Sequence, residues 1–151
     1  MTSLKRQKGF TLVELLIVII IIGILATLVI VTFTGIQAKA RDSKRQTDIN
    51  AIQSTVEAFH AQYGFYPNLA ELQDATYRSS FLKGFDPAAL TDPKTGQTYT
   101  YTTTKDDGTA CETTVLANNA DGTPADTGCT KYTASATLES NNQTFSKSSN
   151  G

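Results

Sequence analysis

Apolar and polar positions divide this 151-residue chain into three regimes. From Phe10 to Phe33, 19 of 24 side chains are apolar, and no charge occurs between Leu15 and Ala38. A run of that length suits a hydrocarbon core about 30 Å thick at about 1.5 Å per helical residue, so it predicts a membrane-spanning helix. Further on, Ile49, Ile52, Val56, Phe59 and Tyr63 recur at spacings of 3, 4, 3 and 4, which places them on one face of a helix. Asp42, Lys44, Arg45, Asp48, Gln53 and Glu57 take the opposite, polar face. No proline interrupts Phe10 to Tyr63, and Gly64 closes the pattern as a helix C-terminal residue. One helix of up to 54 residues, about 81 Å long, is therefore expected.

Beyond Gly64 the period changes. Phe65-Tyr66-Pro67 breaks the helix, and Asn68-Leu69-Ala70-Glu71 has the spacing of a capping box that opens a short second helix. From Thr98 the chain reads as β-structure. Tyr99 to Thr103 alternates aromatic and polar residues, Asp107-Gly108 marks a hairpin turn, and Glu112 to Leu116 is expected as the return strand. Tyr132, Ala134, Ala136 and Leu138 share one face of a further strand, which would bury that face against the stripe of the long helix. The tail from Ser140 to Gly151 is polar apart from Phe145 and is expected to be disordered. The pattern predicts an α+β fold in four stretches: residues 1–9 as a leader, 10–35 as a membrane helix, 36–139 as a globular domain and 140–151 as the tail.

The apolar run has competing readings. Lys5, Arg6 and Lys8 before it and the small-x-small sequence Ala38-Lys39-Ala40 after it fit a cleaved secretory signal, but the run exceeds the usual apolar region of about 7 to 15 residues. A plain signal anchor leaves Glu14 unexplained. The flanking charges do not decide orientation, because Lys39, Arg41, Lys44 and Arg45 are mixed with Asp42 and Asp48. A leader too short to fold and a large segment carrying Cys111 and Cys129 favour an outside C-terminal domain.

Charge and chemistry narrow the function. The net charge is −1, and removing Lys5, Arg6 and Lys8 leaves 10 basic against 14 acidic residues, which argues against nucleic-acid binding driven by overall charge. Glu14 is the one charge in the apolar run, and a charge in a membrane helix costs up to about 3 kcal/mol on insertion scales, so it calls for a partner. Cys111 and Cys129, with 17 residues between them, read as one disulfide in an exported domain, reduced buried thiols being the alternative. His60 neighbours Val56, Phe59 and Tyr63 and reads as a boundary residue of the core; no G-x-S-x-G, P-loop or H-E-x-x-H motif occurs. Asp106, Asp107, Asp121 and Asp126 are turn formers.

The run Lys8-Gly9-Phe10-Thr11-Leu12-Val13-Glu14-Leu15 resembles the N-terminal signal of type IV pilins and type II secretion pseudopilins. Tyr63-Gly64-Phe65-Tyr66-Pro67, Asp92-Pro93 and Tyr99-Thr100-Tyr101 are similar to later segments of small pilins and major pseudopilins. The resemblance implies that a prepilin peptidase cuts between Gly9 and Phe10, that Phe10 is then N-methylated, and that Glu14 pairs with a Phe10 amino group on a neighbour or its own chain. It implies a helical filament of identical subunits, built by an assembly platform and motor from subunits held in the inner membrane and then presented outside the cell, with no cofactor. Where the family usually has a proline, this chain has Val31, so the helix is expected either to stay continuous or to loosen only near Gly23. The resemblance also admits calcium held by Glu112, Asp121 and Asp126, although a disulfide takes that region here. The disulfide and the Thr/Ser/Asn-rich surface lean towards a surface pilus, with a secretion pseudopilin as the alternative.

Overall fold

The structure, a computed structural model, describes residues 9–111 and 113–149. In chain order it comprises α1 (Leu12–Tyr63), α2 (Leu69–Gln73), α3 (Ala75–Phe81), a 3-10 turn (Pro87–Leu90), and strands β1 (Thr100–Thr104), β2 (Lys131–Thr137) and β3 (Thr144–Ser148). The chain divides into two compact units, one up to Gln37 and one from Ala38.

The first unit is helical from Leu12 and contains an 18-residue stretch of mean hydropathy 3.3, none of it buried within the chain. Leu12 is 82% exposed and Ile30 64%. Apolar surface of this extent is stable only when lipid or another protein covers it.

The second unit has its own core. The expected stripe forms it: Ile49, Ile52 and Val56 are fully buried, Phe59 nearly so, and Tyr63 packs at the edge. Gly64 ends α1 with φ +86°, its N–H donating to His60 O at 2.8 Å, a conformation that an L side chain adopts only under strain. The capping box forms as the spacing predicts, with Glu71 N–H donating to Asn68 Oδ1 and Asn68 N–H to Glu71 Oε2, both at 2.9 Å. Asp74 caps α3, donating no proton but accepting from Tyr77 N–H at 2.6 Å.

The sheet is antiparallel in the order β1-β2-β3. Tyr101 lies opposite Ala134 and Thr103 opposite Tyr132, and these inward positions close over the helix stripe. Two expectations are corrected. The return strand of Glu112 to Leu116 does not form: β1 pairs with β2, and after the turn at Gly108 only a single bridge, Thr104 to Ala110, extends the pairing. The backbone there is claimed elsewhere, since Thr114 O accepts from Asn68 Nδ2 at 2.9 Å; Glu112 itself lies outside the described residues. The tail is not disordered over 144–148 but is strand β3, with Phe145 opposite Ala136 and packed on the core. The free edge of β2 supplies backbone partners that a polar sequence does not advertise, and Asn142 makes the turn with φ +57°.

Candidate functional site

The helix start carries a built arrangement. Gly9 and Phe10 are not helical, and α1 opens at Leu12 with Thr11 as its N-cap, Thr11 O accepting from Leu15 N–H at 3.3 Å. The first turn of any helix leaves N–H groups without partners. Here Thr11 Oγ1 accepts from Glu14 N–H at 3.2 Å, while Glu14 Oε2 accepts from Thr11 N–H at 2.8 Å and from Thr11 Oγ1–H at 2.7 Å. Thr11 and Glu14 therefore form a reciprocal capping box. The Thr-x-x-Glu spacing that signals it is present in the sequence, but there Glu14 stands out as an unpaired charge and Thr11 goes unnoticed.

Among the described residues, a Cβ added at Gly9 or at Gly23 meets no atom within 4 Å, and neither residue has positive φ. The described residues thus make no steric demand for glycine at either position. Phe10 is 85% exposed. Lys8 lies outside the described residues.

At the other end of the chain, Cys111 and Cys129 are joined by a disulfide with their Cα atoms 5.9 Å apart, and both are buried. The bridge is tied to the end of the long helix: Tyr66 N–H donates to Cys129 O at 2.8 Å and Thr127 Oγ1 to Tyr66 O at 3.1 Å. The acids considered for calcium are separated in role. Asp121 accepts from Thr123 N–H and Oγ1, and Asp126 from Gly128 N–H, so each closes its own turn. Among the described residues no three His, Cys, Asp or Glu side chains gather into a metal-holding group.

Residues 4–30 match the profile of the prokaryotic N-terminal methylation motif. Type II secretion system core protein G of Vibrio cholerae is 29% identical over 138 residues, covering 85% of this chain and 94% of that protein. The chain thus carries this N-terminal motif and is similar to secretion pseudopilins and to a type IV pilin. Core protein G of Aeromonas hydrophila is 38% identical over 71 residues, 47% of this chain and only half of that protein. The type IV major pilin protein PilA of Myxococcus xanthus is 38% identical over 65 residues, 43% of this chain and 30% of its own length. No solved structure matches.

The polar face of α1 is not a solvated face throughout, contrary to its sequence pattern. Arg45 is wholly buried and holds three carboxylates: Asp92 through Nε and Nη2 at 2.7 and 2.8 Å, Asp42 through Nη1 at 2.8 Å and Glu139 through Nη2 at 2.6 Å. Arg41 pairs with Glu139 in two bonds of 2.9 Å, and Lys94 reaches the same group at 3.2 Å. Asp42 also accepts the backbone N–H groups of Glu139 and Ser140 at 2.7 and 2.8 Å. Burial pushes the Asp42 carboxyl up, but these N–H groups and Arg45 outweigh it and bring it down to about 2. The Arg41 bonds hold Glu139 well below the usual carboxylate range, and Arg45 lowers Asp92. His60 stacks on Tyr66 at 4.3 Å, as a residue at the core boundary.

Proposed function

We propose that this chain is the structural subunit of a type IV pilus-like surface filament. The observation that carries the reading is the wholly exposed apolar helix with Glu14 in its first turn. Before assembly the helix lies in the inner membrane, with the globular domain outside. A prepilin peptidase cuts between Gly9 and Phe10, and the new amino group of Phe10 is methylated. The absence of any internal need for glycine at position 9 supports this, because a bare backbone there serves a protease cleft rather than the fold. Lys8 and its basic neighbours hold the cut site at the anionic cytoplasmic face.

Glu14 then pairs with the ammonium of Phe10 and sets the register in which subunits add. In low dielectric a wrong register leaves a carboxylate uncompensated, which is strongly disfavoured. An assembly platform and motor draw subunits from the membrane into a heterologous, non-closing array, which grows as a fibre. Gly23 is the position at which the membrane helix loosens on packing, a role favoured by the missing Cβ and by Val31 in place of proline. The role is structural rather than catalytic, and direct nucleic-acid contact is not part of it.

A second reading, the major subunit of a type II secretion pseudopilus, is favoured by the Vibrio cholerae relative, whose alignment extends over 85% of the chain. Electron microscopy of filaments sheared from cells, with peptide identification, separates the two. Surface filaments containing this chain at native expression support the pilus; their absence together with loss of exported proteins on deletion of the gene supports the pseudopilus.

A further inference from the structure

We propose that residues 113–118 form a strap across α2 and α3 that is released when Glu71 loses its proton. The strap is neither helix nor strand, its residues are exposed except for half-buried Leu116, and it lies inside the loop that the Cys111–Cys129 bridge closes. Among the described residues one well-formed hydrogen bond ties it to the rest of the second unit, Asn68 Nδ2 donating to Thr114 O at 2.9 Å. Beneath it the packing is incomplete. A cleft of about 230 Å³ lies between Val115, Leu116 and Ala117 of the strap and Tyr77, Ser80 and Phe81 of α3.

Glu71 and Tyr77 are both buried there, yet Glu71 Oε1 and the Tyr77 hydroxyl have no well-formed partner. The backbone N–H groups of Asn68 and of Leu116 in the strap favour the Glu71 anion, but burial outweighs them and raises the pKa, so the closed form prefers a protonated carboxyl. Among the described residues no lysine or arginine pairs with Glu71. Tyr77 on α3 and Tyr101 on β1 both sense its charge, and burial pushes both phenols up, so neither ionises near neutral pH. The charged residues around the α2–α3 junction are committed elsewhere, Arg78 to Leu72 O at 2.8 Å and Asp74 to Tyr77 N–H at 2.6 Å. An ionised carboxylate in this seat is uncompensated and gains by turning to water. That movement reaches the strap through Asn68, whose N–H donates to Glu71 Oε2 at 2.9 Å and whose Nδ2 holds Thr114 O. The strap is therefore closed in acid and opens as pH rises through the raised value, bringing Tyr77 within reach of solvent.

Amide exchange of the full chain in detergent micelles, read by NMR at about pH 5 and about pH 8, tests this. Each rate is expressed as a protection factor, so that the intrinsic pH dependence of exchange cancels. Wild type is expected to lose about ten-fold protection at Leu116 and Asn68 at the higher pH, the change in closed-to-open ratio given by one pH unit of difference in proton affinity. Ile52, in the buried stripe, should hold at both. Glu71→Gln carries no charge and is expected to keep the same protection at Leu116 at both pH values. Tyr77→Phe keeps the carboxyl and removes the neighbouring phenol, so it should lose protection as wild type does, and it decides the matter if Glu71→Gln loses Ile52 protection and so fails to fold. Equal wild-type protection at both pH values, a loss in folded Glu71→Gln as large as in wild type, a loss shared by Ile52 in wild type, or no loss in Tyr77→Phe would each overturn the assignment.

Discussion

Arg45 and Asp92 meet in a two-bond clasp, Nε to Oδ2 at 2.7 Å and Nη2 to Oδ1 at 2.8 Å, with the guanidinium fully buried. The clasp joins α1 to the segment before the sheet, and Glu139 on the same guanidinium adds the turn that follows β2. A planar fork matches a carboxylate in a way that a lysine ammonium does not. Removing one partner from such a cluster leaves the others buried and uncompensated, which costs about 3 to 5 kcal/mol. Arg45→Ala is expected to lose that much in urea unfolding of a fragment starting at Ala38, and Arg45→Lys to recover only part of it. A loss under 1 kcal/mol for Arg45→Ala, the level of an exposed ion pair, would reduce the cluster to surface decoration.

The same cluster sets an acid limit. Asp42 is lowered to about 2, and Asp92 and Glu139 are lowered as well, so their folded pKa values lie beneath the ordinary unfolded values of about 4. The unfolded chain then binds more protons as pH falls, and stability is lost with acidification. Unfolding free energy is expected to be flat with respect to these groups from pH 7 to about pH 5, then to fall steadily towards pH 2. In Arg45→Ala that acid slope should be shallower; an unchanged slope would show that other carboxylates dominate it.

Periodicity is enough to foresee the stripe from Ile49 to Tyr63, the stop at Gly64 and strand β2, because each is written in local spacing. The Asn68–Glu71 box is legible for the same reason. What escapes is written at a distance. Asp92 lies 47 residues from Arg45 and Glu139 lies 94 away, so nothing in a helical wheel distinguishes buried Arg45 from exposed Lys44. Strand β3 escapes because Thr144 to Ser148 is polar and gains its pairing from the open edge of β2. At the helix start, Gly9, Phe10 and Glu14 are legible as a signal, whereas Thr11 emerges only from the hydrogen-bond geometry.

Residues 112–128 lie between the two halves of the Cys111–Cys129 bridge. Cross-linking across 17 intervening residues restricts the unfolded chain, and removing such a bond typically costs about 2 to 5 kcal/mol. The double variant Cys111→Ser/Cys129→Ser is expected to unfold at lower urea by that amount. Because Cys129 O also receives Tyr66 N–H, amide exchange should rise at Tyr66 as well as within the loop. Protection at Tyr66 equal to wild type would mean that its hydrogen bond does not depend on the bridge.

Glu71 behaves in the opposite sense to the acid cluster. It is fully buried, its Oε2 accepts from Asn68 N–H, and Oε1 finds no well-formed hydrogen bond. Burial raises its pKa, so the folded state holds the proton more tightly than the unfolded chain and this group's contribution declines as pH rises through the raised value. Glutamine keeps an oxygen for Asn68 N–H and carries no charge. Glu71→Gln is thus expected to be neutral to stabilising by about 1 kcal/mol at pH 8, and less favourable at pH 4. Equal destabilisation at both pH values would indicate that the amide clashes or leaves its own donors unpaired.

Gly9 and Glu14 are separable because they serve different steps. A Cβ at Gly9 meets nothing within 4 Å among the described residues, so Gly9→Val should leave the second unit's stability unchanged while blocking leader removal. Mass spectrometry should then find the uncut N-terminus in place of methylated Phe10. Glu14→Ala removes the acceptor of both Thr11 bonds, yet it makes the apolar run more uniform, so insertion and cleavage should persist while filaments are lost. The two variants therefore accumulate in different forms, Gly9→Val as full-length membrane protein and Glu14→Ala as processed membrane protein. If Gly9→Val were found starting at methylated Phe10, the cut site would be misassigned; if processed Glu14→Ala built normal filaments, another contact would have to set the register.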